Sequence, residues 1–196
     1  MVEESGSKSN YLFVLIKFIL FLLIFCFLAE MTKEFWREIR SKENFDLAVF
    51  ILSLVSCFGF YAFVADLNGV YKGIQNFFFR SSFFALVFPA LLIITGLGFL
   101  FLPKVLQLTY NRDVFIFSGG FLLVMHLVFI ARQTKGHTFA SVINYLFTFS
   151  ILCILNLLIF ISYLKITYPI QIGNFILQGA KQGAGLIQMI FTKGLH

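Results

Sequence analysis

The chain has 196 residues, of which 60% are apolar and 12% charged, with 29 phenylalanines and a formal net charge of +6. A water-soluble domain is ordinarily about 45–50% apolar and about 25% charged. A chain this short also leaves roughly a third of its surface exposed, so the composition excludes a soluble globule and requires lipid as solvent. The 15 basic residues are dispersed over the connections between apolar runs; nucleic acid is excluded as a partner because its binding needs a concentrated patch.

Residues 1–10 read as a polar N-terminal tail, with Glu3 and Glu4 against Lys8. The apolar run that follows is too long for a secretory signal, and Ala29-Glu30-Met31 is a poor cleavage site, so it reads as a retained first span. Five stretches match the roughly 20 helical residues that a bilayer core demands: 11–29, 47–65, 83–102, 114–131 and 145–164. Backbone in hydrocarbon must satisfy its own hydrogen bonds, so these runs are helices; they lack the alternation of a barrel strand. The expected fold is all-α: a five-span bundle over 11–165, followed by an amphipathic helix over 170–193.

In the first span, Lys17 lies about 10 Å deep. It either snorkels to the headgroups or pairs with Asp66 or Asp113 at another helix end. The connection 30–46 mixes four basic with five acidic residues around Trp36. It reads as a short interfacial helix anchored by Trp36, or as a docking surface. Residues 73–80 look interfacial or re-entrant. Ser53, Ser56, Cys57 and Gly59 on the second span, Thr95, Gly96 and Gly98 on the third, and Ser118, Gly119 and Gly120 on the fourth let helices approach closely. Pro89 removes a backbone donor and kinks the third span. His126 lies deep in the fourth span without a second histidine at its depth, so it hydrogen-bonds within the bundle and holds no haem.

The fifth span carries a polar stripe: Ser141, Asn144, Tyr145, Thr148, Asn156, Ser162 and Tyr163 fall within an arc of about 120°. Asn156, near mid-span, must face protein or water. The stripe is interhelical glue or the wall of a solute path. The tail places Gln171, Asn174, Gln178, Lys181, Gln182, Gly185, Gln188 and Thr192 on one helical face, with Ile172, Phe175, Ile176, Leu186, Ile187, Ile190 and Phe191 on the other. Gly179 and Gly183 are spaced for close helix contact. Each of the tail's four glycines costs about 1 kcal/mol of helix propensity, which close packing must offset. The tail folds onto its own bundle, docks on a partner subunit, or adds a sixth span beside an aqueous path.

Lys and Arg counts of nine against five place the N-terminus outside and the tail in the cytoplasm. Short connections and the absence of a glycosylation acceptor point to a bacterial inner membrane. Hydrolase, nucleotide-binding and metal motifs are absent, so no catalytic residue, cofactor or metal is expected. Two functions remain. One is a non-catalytic accessory or scaffold subunit of a larger membrane complex, with the bilayer and other integral subunits as partners. The other is a small transporter or channel subunit for a lipid or an uncharged solute. Lys17, Trp36, Thr148, Asn156, Gln178, Gly179, Lys181, Gln182 and Gly183 are the packing and partner candidates.

Overall fold

The structure is a computed structural model that describes residues 3–63, 67–106, 111–134 and 139–193. These residues form eight helices and no strand: α1 Glu3–Arg40, α2 Leu47–Phe63, α3 Leu67–Phe78, α4 Ser82–Val87, α5 Ala90–Leu106, α6 Arg112–Thr134, α7 Phe139–Leu164 and α8 Ile172–Lys193. The helices α1, α6 and α7 are long and apolar enough to cross a membrane, and a fourth crossing exists if α2 and α3 count as one bent span.

The first helix departs from the expected division into tail, span and interfacial segment. It runs unbroken for 38 residues, about 57 Å. No Gly or Pro interrupts residues 11–40. The charged part continues the helix through three one-turn ion pairs, Glu30–Lys33 at 2.5 Å, Glu34–Arg37 at 2.5 Å and Glu38–Lys42 at 2.7 Å. Such pairs favour helix by a few tenths of a kcal/mol each. No residue in its apolar stretch is buried within the protein, and Leu12, Phe13 and Phe25 remain more than half exposed. That surface suits lipid contact.

The second span does not continue as one straight helix: α3 lies at 109° to α2. The third stretch also breaks. Pro89 cannot donate to the preceding turn, so the chain leaves helix at Phe88 and Pro89 and restarts at Ala90. The expected kink is therefore a full interruption. Side-chain caps set two helix starts: Asp46 Oδ1 accepts from the Val49 amide at 3.0 Å, and Asn111 Oδ1 accepts from the Asp113 and Val114 amides at 3.0 and 3.2 Å. These are the orphan donors of a first helical turn.

Three close crossings organise the core. The extensively packed pair α2 and α6 meets at Gly120, where an added Cβ would run into Ser53 Oγ and the Phe50 ring. At Tyr163 three helices meet: its ring covers Gly96 of α5 and Gly119 of α6 and stacks on Phe115 at 4.2 Å. Its hydroxyl donates to the Phe115 carbonyl at 2.8 Å. The third crossing joins α1 and α8. Phe35, Phe50, Phe115 and Phe160 fill the space between, all nearly inaccessible.

One end of the bundle is tied by connections that meet. Lys42 Nζ donates to the Pro169 carbonyl at 3.1 Å, Tyr168 Oη donates to the Asn44 carbonyl at 3.1 Å, and the Phe45 and Tyr168 rings lie 5.4 Å apart. Burial pushes the Tyr168 phenol above its ordinary pKa.

Candidate functional site

The tail helix α8 runs antiparallel to α1 and packs along it more extensively than any other helix pair. Two glycines make the seat. A Cβ on Gly179 would lie 2.8 Å from Met31 Cγ, and one on Gly183 would lie 2.6 Å from Phe27 Cδ1. Nothing but hydrogen fits at such separations, so the backbones approach as small residues permit. Phe175 completes the buried face at 2% exposure.

The antiparallel register of these two pairs carries the second half of α8 alongside the apolar stretch of α1. Gln188 and Thr192 then lie level with the turns around Leu22 and Phe18. On the uncovered side, Gln178, Lys181, Gln188 and Thr192 are exposed, and Gln182 is half-buried at the edge of the seat. The Asn174 amide donates to Gln171 Oε1 at the start of the helix. Exposed Leu177 and Phe191 border this polar strip, and exposed Met189 lies within it. Hence α8 presents three sides: glycine toward α1, amide outward, and aliphatic and aromatic side chains between.

A second polar cluster lies inside the bundle. His126, wholly buried on α6, has its Nε2 3.2 Å from the Leu86 carbonyl. A carbonyl accepts only, so Nε2 carries the proton and Nδ1 accepts. Tyr71 Oη lies 2.9 Å and Gln75 Nε2 3.1 Å from that Nδ1, and Gln75 Nε2 also donates to Tyr71 Oη at 2.7 Å. The Pro89 break supplies the carbonyl, because a continuous helix would have used Leu86 O internally. The sequence placed His126 in a bundle hydrogen bond. It missed Tyr71 and Gln75, whose spacing of four residues puts them on one helical face. Gln75 Oε1 is buried without a hydrogen-bond partner among the described residues.

The remaining candidates scatter. Lys17 Nζ donates to Asn144 Oδ1 of α7 at 2.8 Å and lies 4.9 Å from the Phe13 ring centroid. Asp113, one of the two expected carboxylates, is not its partner, because it sits at the far end of the bundle beside the 41–46 connection; Asp66, the other, lies outside the described residues. The α7 stripe divides between two environments. Asn156 is wholly buried and donates to the Leu152 carbonyl at 2.8 Å, its Oδ1 lacking a partner among the described residues. Asn144, Thr148 and Ser162 face outward. Trp36 packs edge-on against Phe35 and Phe50 and carries the Arg40 guanidinium 5.8 Å above its ring. Among the described residues no three His, Cys, Asp or Glu side chains gather as metal ligands would.

No protein-family model, curated protein or solved structure matches this chain.

Proposed function

We propose that this chain is a non-catalytic accessory subunit of a larger integral membrane complex, and that α8 is the surface on which an unlike subunit docks. One observation carries the reading. The amide face of α8 lies uncovered beside the most apolar part of α1, where lipid offers no hydrogen-bond partner. Polar side chains in hydrocarbon are satisfied by protein or water. Amides both donate and accept, so a second polar helix face satisfies them with little charge to neutralise.

In this reading α1, the bent α2–α3 pair, the broken α4–α5 stretch, α6 and α7 make five crossings. The four Lys and Arg of the 30–46 connection favour that end of the bundle as the cytoplasmic one, and the short connections favour a bacterial inner membrane.

Extraction in mild detergent followed by native mass spectrometry tests the proposal. Stoichiometric co-purification with an unlike chain is expected, and a Gln178→Leu, Gln188→Leu variant should release it. A lone chain that carries solute flux after reconstitution would contradict it.

A further inference from the structure

The α1–α2 side of the bundle holds a feature independent of α8. An apolar crevice of about 320 Å³ lies among α1, α2, α6 and α7. Leu28 and Thr32 of α1 and Leu54 of α2 form its walls; Leu123 of α6 and Cys153 and Leu157 of α7 form its floor. At its end stands Trp36, which also lines a second, open pocket of about 560 Å³ with Lys33, Arg37, Arg40 and Ser41. An apolar slot and a basic pocket thus meet at one indole.

We propose that this composite groove binds an anionic glycerophospholipid: one acyl chain lies in the crevice, and the headgroup phosphate lies among Lys33, Arg37 and Arg40. The cations are set for such a ligand. Glu30 and Glu34 are nearly buried at 10% and 6% side-chain exposure, while their partners Lys33 and Arg37 are 69% and 60% exposed. The carboxylates fix the two cationic heads from behind and leave their outward donors free. Arg40 pairs with no carboxylate among the described residues, and its guanidinium lies 5.8 Å from the Trp36 ring centroid, with its N–H groups left for phosphate. A zwitterionic headgroup offers the same phosphate together with a cation that these three side chains repel. The crevice and basic pocket each match the size of a small-molecule site. An acyl chain suits a slot lined almost wholly by carbon.

Trp36 is the only tryptophan of the chain, so its emission reports this groove alone. The test reconstitutes the full chain in vesicles containing either acyl-brominated phosphatidylglycerol or acyl-brominated phosphatidylcholine at equal mole fraction. The phosphatidylglycerol should quench Trp36 selectively. Each of Lys33→Gln, Arg37→Gln and Arg40→Gln should reduce that selectivity about fivefold, the effect of one basic side chain at an anionic surface. Arg40→Gln breaks no ion pair, so it keeps the test decisive if the other two variants fail to fold. Narrowing the crevice with Leu54→Phe should lower quenching by both lipids. Equal quenching by the two brominated lipids overturns the proposal, as does selectivity that survives Arg40→Gln. Displacement by excess inorganic phosphate also overturns it, by showing that the site takes a phosphate group without the chain.

Discussion

Gly183 of α8 faces Phe27 of α1 at a separation where even a methyl group would collide with the phenyl ring. One turn earlier, Gly179 meets Met31 in the same way. Together these contacts decide the position of the tail: they hold an amphipathic helix alongside an apolar one and leave its amides pointing away from the protein.

Gly183→Leu should therefore detach α8. Overpacking of this kind typically costs about 1–3 kcal/mol, and the freed tail should become the first site of limited proteolysis in micelles. Gly185 faces open space, so Gly185→Ala should instead stabilise the helix, by up to about 1 kcal/mol. Equal protease sensitivity in the two variants would argue against the seat.

The His126 cluster should behave as a unit. His126→Leu leaves the Leu86 carbonyl and the Tyr71 hydroxyl without their partner, at an expected cost of about 1–3 kcal/mol. Tyr71→Phe should cost less in the His126→Leu background than in the native chain. Denaturant unfolding of the double-mutant cycle in micelles measures this coupling. Additivity within about 0.5 kcal/mol would show that the contact carries no energy.

Gly119 and Gly120 should tolerate no side chain, since Tyr163 occupies the space beside one and Ser53 with Phe50 the space beside the other. Gly119→Val and Gly120→Val should each lower the unfolding midpoint. Gly59, which meets nothing within 4 Å, should accept alanine without loss. A thermal melt that ranks Gly59→Ala as the worst of the three would contradict the crossings described above.

Lys17 should prove dispensable for folding. Its hydrogen bond to Asn144 belongs to a class worth about 0.6 kcal/mol on average in membrane proteins, and Lys17→Leu also removes a charge from an apolar helix. The variant should unfold within about 1 kcal/mol of the native chain. Collapse of the fold on this single change would show that Lys17 balances a buried group.

Apolar runs of span length and the amphipathic period of the tail were both readable, because each needs only local composition and a 3.6-residue repeat. The small residues Ser53, Gly96, Gly119 and Gly120 were visible as a class, and the structure adds what each one meets. Other features depended on geometry that no window contains. The charged segment after Ala29 looked like a separate interfacial helix because its composition changes sharply, yet nothing in it breaks a helix and its ion pairs extend one. Pro89 signalled a bend; a full break with a released carbonyl required His126 on another helix to use it. Tyr71 and Gln75 were hidden because their role depends on α3 folding back by 109°. The α7 stripe looked uniform by angle, but neighbours bury Asn156 and leave Thr148 exposed.

If α8 is a docking surface, protein and not lipid covers its amide face in the native membrane. A photo-crosslinking residue placed at Gln188 and activated in intact membranes tests it most directly. A discrete adduct to an unlike protein chain is expected, absent when the same residue is placed at exposed Leu12. Adducts to lipid alone, or only to a second copy of this chain, would contradict it.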